Sequence, residues 1–359
     1  MFKAGIIGLP NVGKSTLFSA ITNLNVEIAN YPFATIEPNI GTVCVPDERL
    51  DFISSVFKPK KTIYATIEFY DVAGLIKGAS KGEGLGNQFL SHIRECDVLV
   101  EVIRCFENND IIHVENNIDP KRDIEIINFE LISSDLEIIN KRIEKIKNKE
   151  SSEFNLLKKI KSEIEKGLLI KNVNLDPEEK KIVKNLGLLS IKPIIYVANL
   201  DEKSLKNFFD NKFYKIVKEI ADEFSIKVIP LSCELENQLS KLSCKEKKDF
   251  INLLKIESHL NKLIKNCYET LDLLTFFTVG TDECKAWTFK KGMVAVDCAG
   301  IIHSDFKKGF IKVEIYSFAD FKIFQNEQII REKGKVRLEG KNYPFQDGDI
   351  AFFKFNVSK

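Results

Sequence analysis

Residues 4–16, AGIIGLPNVGKST, decide the fold of this 359-residue chain. An apolar run ends at Gly8, four residues separate Gly8 from Gly13, and Lys14 and Ser15 follow directly. The residues after them, TLFSAI, continue with helical spacing, which is the strand–loop–helix context of a phosphate-binding loop. The glycines let backbone N–H groups approach a triphosphate closely, and the helix N-terminus favours its negative charge. The stretch therefore predicts a site for a nucleoside triphosphate.

The loop residues have distinct expected roles at that triphosphate. Lys14 reaches the β- and γ-phosphates and stabilises the charge of the transferred group, and the Ser15 hydroxyl is a ligand for Mg²⁺. The residues of the loop expected to bind the nucleotide are Asn11, Val12, Gly13, Lys14, Ser15 and Thr16.

Two further segments predict the remainder of the magnesium site. Thr35 lies in a proline-rich loop where a threonine typically completes the Mg²⁺ shell, with an ordinary loop threonine as the alternative. A β-rich run then ends in D-x-x-G, in which Asp71 holds Mg²⁺ and the Gly74 N–H faces the γ-phosphate. Leu75 follows where Ras-like proteins place a water-orienting glutamine, so hydrolysis is expected to be slow.

The loop after the apolar run 98–103 is expected at the carboxyl edge of the sheet, where ligands bind in open α/β folds. His113 in this loop is a candidate for positioning the attacking water or handling its proton. Arg104 is likewise a candidate for stabilising charge in cis. A purely structural role is the alternative for both side chains.

The base is read by a motif at 199–202, NLDE, which stands where GTPases carry N-K-x-D. Leu200 replaces the lysine that packs on guanine, and Glu202 replaces the aspartate that accepts its hydrogen bonds. Moving the carboxylate outward by one methylene weakens guanine selection, so the residues predict a departure from strict GTP use without establishing ATP. The residues expected to contact the base are Asn199, Leu200, Glu202, Ser232 and Cys233.

Residues 123–189 change character between two predicted sheet strands. Two amphipathic patterns, separated by a break near Ser151, place apolar residues at helical intervals. They predict a coiled-coil-like helical hairpin that protrudes as a partner-contacting arm, with helices packed on the sheet as the alternative. From 274 onward, short β-rich runs between turns predict a small α+β module. The predicted domains are 1–122 with 190–273, 123–189, and 274–359.

The composition is that of a soluble globular protein, with 44% hydrophobic and 29% charged residues. A formal net charge of +1 gives no global positive excess, so any nucleic-acid contact must be local. Basic residues interleaved with aromatic ones at 305–312 and 333–341 are compatible with RNA contact, with a solvated lysine-rich surface as the alternative. Scattered cysteines, no leader segment and no run of membrane-spanning length predict a cytoplasmic protein without a membrane partner.

The chain resembles the YchF / Obg-like ATPase family of TRAFAC-class P-loop proteins over essentially its full length. The resemblance rests on GLPNVGKST at 8–16, YPFATIEPN at 31–39, DVAGL at 71–75, KGASKGEGLGN at 77–87 and NLDE at 199–202. It implies an α/β fold with a mainly parallel sheet and helices on both faces. It also implies an inserted helical hairpin and a C-terminal TGS domain, which is a ubiquitin-like β-grasp module.

The resemblance further implies ATP as the preferred substrate, Mg²⁺ at Ser15 and Thr35, and adenine near Leu200. It implies association with the ribosome or ribosomal RNA, through a face shaped by the helical arm and the TGS domain. The expected function is a cytoplasmic, monomeric, ribosome-associated ATPase that hydrolyses ATP slowly as a conformational switch. Two alternatives are a ribosome-binding module that uses ATP mainly as a structural ligand, and a GTPase switch. Cys233 and Glu234 depart from the Ala-Lys more usual in this family.

Overall fold

The computed structural model describes residues 1–24, 39–72, 85–108, 114, 117–254 and 256–356. Their strands are β1 (Phe2–Ile7), β2 (Ile40–Cys44), β3 (Lys61–Ile63), β4 (Thr66–Asp71), β5 (Val98–Arg104), β6 (Ile194–Asn199), β7 (Lys227–Leu231), β8 (Leu273–Thr278), β9 (Glu283–Lys290), β10 (Phe310–Ser317), β11 (Arg337–Glu339) and β12 (Asp349–Phe355). The helices are α1 (Lys14–Asn23), α2 (Glu48–Phe57), α3 (Leu85–Glu95), α4 (Pro120–Lys145), α5 (Ser152–Ile164), α6 (Pro177–Asn185), α7 (Glu202–Lys206), α8 (Lys212–Glu223), α9 (Cys233–Leu239), α10 (Cys244–Leu254), α11 (Leu260–Thr270), α12 (Ala295–Ile302), α13 (Ser304–Lys308), α14 (Phe318–Phe324) and α15 (Glu327–Glu332). Among the residues so described, no helix is both long and apolar enough to cross a bilayer.

Contacts divide the chain into two compact units. The first comprises Met1–Val43 and Glu68–Leu263, and the second comprises Cys44–Ile67 and Ile264–Lys359.

The sheet of the first unit has the strand order β2-β4-β1-β5-β6-β7. Strands β1, β5, β6 and β7 pair in parallel, with Gly5 opposite Leu99 and Leu99 opposite Ile194. Every residue of β5 and β6 is buried, as expected for parallel strands covered on both faces. Because these strands run in one direction, the loops that follow them meet at a single edge of the sheet. The predicted α/β fold with a mainly parallel sheet is confirmed.

Helices α4, α5 and α6 lie between β5 and β6. α4 begins at Pro120, where a proline needs no N–H partner and the Asp119 side chain caps the first turn. It contacts β5 and α8 as well as α5. Asp135 of α4 is fully buried, and its carboxylate accepts hydrogen bonds from the N–H groups of Leu189 and Ser190 at 2.7 and 2.8 Å. The predicted pair of helices is confirmed. The contacts of α4 with β5 and α8 agree with the alternative of helices packed on the sheet, and Asp135 ties α4 to the segment that leads into β6.

The second unit has a sheet in the order β11-β10-β12-β8-β9-β3. Strands β8 and β9 form an antiparallel hairpin, α12 follows, and β12 returns parallel to β8 and antiparallel to β10. Its core is aromatic, with the Phe276 ring centroid 5.1 Å from that of Phe345 and 5.9 Å from that of Phe353. This topology confirms the predicted β-grasp module.

The two units differ from the predicted domain bounds in three places, one of which is the boundary predicted at 273/274 and found at 263/264. Residues 44–67, which the sequence assigns to the nucleotide domain, lie in the second unit, where β3 pairs in parallel with β9. Residues 123–189 belong to the first unit and do not form one of their own. The physical reason is that strand pairing and helix docking join segments far apart in the chain, and local periodicity does not report such contacts.

Candidate functional site

The loop after β1 adopts a backbone that depends on its glycines. Gly8, Asn11 and Gly13 all have positive φ, at 146°, 61° and 105°. A Cβ atom at Gly8 would lie 2.6 Å from the Val102 carbonyl oxygen, and one at Gly13 would lie 2.5 Å from Nδ2 of Asn199. Glycine is therefore required at both ends of the loop by conformation and by space. The loop delivers the chain to the N-terminus of α1, where N–H groups are available to an anion.

Lys14 is held inside this loop. Its side chain is only 7% exposed, and Nζ donates a hydrogen bond to the Leu9 carbonyl oxygen at 2.7 Å. Burial lowers the pKa of Lys14 to about 8, and the negative charge of Asp71 opposes that shift. A phosphate oxygen would give this desolvated ammonium a negatively charged partner in place of the neutral Leu9 carbonyl. The next residue, Ser15, is exposed in the first turn of α1.

Asp71 ends β4 and has the chemistry of a magnesium ligand. Its Oδ1 atom is buried without a hydrogen-bond partner among the described residues. A buried carboxylate oxygen in this state costs free energy unless a cation or donor satisfies it. Mg²⁺ prefers carboxylate, hydroxyl and phosphate oxygens, so Asp71 and the Ser15 hydroxyl fit this ion.

Asn199, the last residue of β6, connects three loops. Its Nδ2 donates to the Val12 carbonyl oxygen at 2.8 Å, and its Oδ1 accepts from the Cys233 N–H at 3.0 Å. Its side chain is 4% exposed, so both bonds are shielded from water. Both ends of its carboxamide therefore hold the phosphate loop against the segment after β7. The base contact of Asn199 stays a prediction.

A cleft of about 590 Å³ opens at the carboxyl edge of the sheet, a volume typical of small-molecule sites. The predicted residues that line it are Asn11, Gly13, Thr16, Asn199, Leu200, Glu202, Ser232 and Cys233. Four other predicted site residues are described by the structure but do not line the cleft: Val12, Lys14, Ser15 and Asp71. Leu200 and Cys233 are buried and contribute a non-ionic wall, and burial raises the pKa of the Cys233 thiol.

The base-side carboxylates have different surroundings. Asp201 caps α7, and its carboxylate accepts a hydrogen bond from the Ser204 N–H at 2.7 Å. Glu202 is exposed in the first turn of the same helix. The side chain at the guanine-reading position is thus placed where water competes for its hydrogen bonds.

Sequence reasoning placed the loop after β5 at this edge of the sheet but named none of residues 106–108 as part of the site. Phe106, Glu107 and Asn108 line the cleft, and Arg104 holds this loop in place. The guanidinium of Arg104 is 1% exposed, donates to the carbonyl oxygens of Phe106 and Asn108 at 3.2 and 3.0 Å, and lies 4.7 Å from the Phe106 ring centroid. These contacts support the structural alternative for Arg104. The position of residues 106–108 directly after a parallel strand was the available signal, and it did not distinguish them from the rest of the loop.

Three predicted residues, Thr35, Gly74 and His113, lie outside the described residues. Their roles remain predictions.

We expect Asn199→Ala to weaken nucleotide binding roughly 10- to 100-fold, because the phosphate loop and the base loop lose their common anchor. The variant also leaves the Val12 carbonyl and the Cys233 N–H buried without this partner, which should lower the free energy of unfolding by about 1–3 kcal/mol. Titration calorimetry and urea unfolding measure the two effects. Asn207→Ala, an exposed asparagine whose side chain does not cap its helix, is the matched control. Parent-like affinity in Asn199→Ala would contradict the anchoring role.

We expect triphosphate binding to be coupled to protonation of Lys14, since its pKa in the free protein is about 8. Below about pH 8 the amine is already protonated, so affinity is insensitive to it. Above that pH binding must take up a proton, and affinity should fall by up to about tenfold per pH unit. Calorimetry near pH 9, in two buffers of different ionisation enthalpy, measures this uptake. Lys14→Arg, which stays protonated, should abolish this proton uptake. Equal apparent binding enthalpies of the parent in the two buffers would refute the coupling.

Comparisons with known proteins agree along the whole chain. A family model described as "50S ribosome-binding GTPase" (MMR_HSR1) matches residues 3–149. A second model, YchF-GTPase_C, described as "Protein of unknown function (DUF933)", matches residues 273–356.

The protein named ribosome-binding ATPase YchF of Mycoplasma genitalium is 50% identical over 368 aligned positions, covering 100% of both chains. The protein of the same name from Bacillus subtilis is 48% identical, with 99% of each chain covered. A solved structure, described as that of the Schizosaccharomyces pombe YchF GTPase, has a TM-score of 0.88 and 38% identity, and the match covers 98% of this chain and 97% of that one. Identity of this extent over complete chains, together with the fold match, shows that the chain belongs to the YchF family.

Proposed function

We propose that this protein binds ATP with Mg²⁺ in the cleft beside the phosphate loop, hydrolyses it slowly, and associates with the ribosome in the cytoplasm as a monomer. The observation that carries the proposal is the pair of hydrogen bonds made by Asn199. They join a phosphate-binding loop to a base-sized cleft at one edge of the sheet. The names of the full-length relatives, ribosome-binding ATPases, supply the nucleotide and the partner.

The chemistry proposed for the site is attack of water on the γ-phosphate. Lys14 exchanges its bond to the Leu9 carbonyl for phosphate oxygens and stabilises the charge of the transferred group. Mg²⁺ held by Ser15 and Asp71 would neutralise charge shared between the β- and γ-phosphates. In the full proposed site, Thr35 is a further magnesium ligand, the Gly74 N–H faces the γ-phosphate, and His113 positions the water.

Slow turnover follows from the side chain at position 75. Leu75 has no hydrogen-bonding group for water, so the residue that follows D-x-x-G does not orient the nucleophile. A long-lived ATP complex suits a switch whose bound state is read by a partner.

Preference for adenine is proposed from the wall of the cleft. Leu200 and Cys233 are buried in the wall of the cleft, and among the described residues that line it there is no lysine to pack on guanine. Glu202 is exposed, and the carboxylate of Asp201 is engaged by the Ser204 N–H. The guanine-specific hydrogen bonds would therefore form only in competition with water. The fission yeast relative is described as a GTPase, which makes nucleotide preference a direct test.

We expect ATP to bind at least about tenfold more tightly than GTP, a difference of about 1.4 kcal/mol. The double variant Leu200→Lys with Glu202→Asp restores the guanine-reading motif and should shift preference toward GTP by a similar factor. Titration calorimetry with both nucleotides measures this, and Lys203→Gln, the next residue of α7, is the control. GTP binding tenfold tighter than ATP in the parent would overturn the assignment of adenine.

Ribosome association should depend on the bound nucleotide if the protein is a switch. We expect more protein to sediment with ribosomes in a non-hydrolysable ATP analogue than without nucleotide, and Lys14→Ala to lose that difference. Single-turnover kinetics on the same samples would show slow hydrolysis by the parent. Equal sedimentation in all nucleotide states would instead favour a ribosome-binding module that uses ATP as a structural ligand.

A further inference from the structure

A second cavity, of about 560 Å³, lies within the first unit at the edge of the sheet away from the nucleotide cleft. It is bounded by the turn before β5, the segment before β6, the 3-10 helix Ile170–Asn172 and helix α6. Residues that precede parallel strands lie at the opposite edge from residues that follow them. The cavity therefore shares no lining residue with the cleft.

Cationic side chains dominate its charge. The cations that line the cavity are Arg94, Lys171, Lys180, Lys184 and Lys192, and the acids are Glu95 and Asp97. Both acids are engaged by one residue elsewhere. Glu95 Oε2 lies 3.0 Å from Nζ of Lys3, and Asp97 Oδ2 accepts a hydrogen bond from the Lys3 N–H at 3.0 Å. Both carboxylates that could neutralise the positive charge of the cavity thus already interact with Lys3.

Two of the cations are fixed in place by neutral oxygens. Arg94 donates to the carbonyl oxygen of Gly187 at 3.1 Å and to Oγ of Ser134 at 2.8 Å. Lys192 donates to the carbonyl oxygens of Arg94 and Cys96. These bonds orient the charged groups. Asp97 and Asp135 attract Lys192 electrostatically, but the hydrogen bonds of Lys192 to Arg94 and Cys96 go to carbonyl oxygens. Such pre-oriented cations favour an anion at the cavity.

Helix α6 adds two further ammonium groups. Lys180 and Lys184 are exposed, stand one helical turn apart, and line the same cavity. Neither makes an ion pair with a described residue. Residues at i and i+4 project from one face of a helix, so both ammonium groups reach the same bound group.

Lys171 completes the charged wall from the 3-10 helix. Burial lowers its pKa to about 8, opposed by the buried carboxylate of Glu101. Burial also raises the pKa of Glu101 to about 8, and its Oε2 has no hydrogen-bond partner among the described residues. An anion in the cavity would stabilise the charged form of Lys171.

The remaining wall is apolar. Ile170, Leu188 and Ile191 line the cavity between the charged groups. A volume near 560 Å³ with both apolar and cationic walls suits a drug-sized organic molecule that carries negative charge. A single-stranded nucleic acid needs an extended basic groove together with aromatic side chains on which its bases stack, and no aromatic side chain is among the described residues that line this cavity.

We propose that this cavity is a second ligand site, which binds a small organic phosphate: the phosphate contacts Lys180 and Lys184, and an aromatic or apolar body rests on the hydrophobic wall. The site shares no lining residue with the ATPase cleft; only its test, which fills that cleft with an ATP analogue, relies on the proposed function.

The test uses the full chain with its nucleotide cleft saturated by a non-hydrolysable ATP analogue and Mg²⁺. AMP is the probe, adenosine is its uncharged counterpart, and titration calorimetry measures binding. We expect AMP to bind with a stoichiometry of about one, more tightly than adenosine, and with an affinity that falls as salt is added. AMP that binds no better than adenosine would overturn the proposal.

Matched variants assign the site. Lys180→Gln with Lys184→Gln should weaken AMP binding about tenfold or more, whereas Lys180→Arg with Lys184→Arg should retain it. The control is Lys181→Gln with Lys215→Gln, two exposed lysines that do not line the cavity. Unchanged binding of the ATP analogue shows that each variant is folded.

Two further results count against the proposal. Parent-like AMP binding by the Lys180→Gln, Lys184→Gln variant would place AMP elsewhere. Binding of a single-stranded RNA oligomer, but not of AMP, would assign the lysines to a nucleic-acid surface instead of a small-molecule site.

Discussion

The nucleotide site depends on one carboxamide, that of Asn199. Parallel strands bring the loops after β1, β6 and β7 to the same edge, but pairing within the sheet does not hold the loops to one another. Asn199 does so, by donating to Val12 and accepting from Cys233 in an environment shielded from water. A buried amide with both ends satisfied is costly to break. The phosphate loop and the base-side wall are thus assembled before ligand arrives, which reduces the entropy lost on binding.

Several ionisable side chains of the first unit are buried away from water. Lys14 is desolvated at the carboxyl edge of the sheet, and Lys171 is desolvated at the amino edge. Asp71 and Glu101 each bury an oxygen that lacks a partner among the described residues. Groups in this state are stabilised by ligands of opposite charge. The same sheet therefore presents a phosphate-binding site at one edge and a second cationic cavity at the other.

Local patterns predicted more of the fold than of the domain bounds. The glycine spacing of the phosphate loop is a local steric requirement, so it identified β1, α1 and the loop between them. Amphipathic periodicity identified α4 and α5, but it did not report that α4 packs on β5 and α8 or that Asp135 anchors it to the segment before β6. The pairing of β3 with β9 was likewise invisible, because it joins strands distant in the chain.

The sequence by itself determined that the chain carries a triphosphate loop, a modified base-reading motif and a small C-terminal α+β module, because each depends on short-range spacing. The β-grasp fold of that module was implied by the family resemblance. Only the tertiary structure decided how those parts are used. It assigned the carboxamide of Asn199 to holding loops together, gave Arg104 a structural task, and brought Phe106 into the wall of the cleft. These roles arise from contacts between the ends of separate strands, and the spacing of residues along the chain carries no record of which strand ends become neighbours.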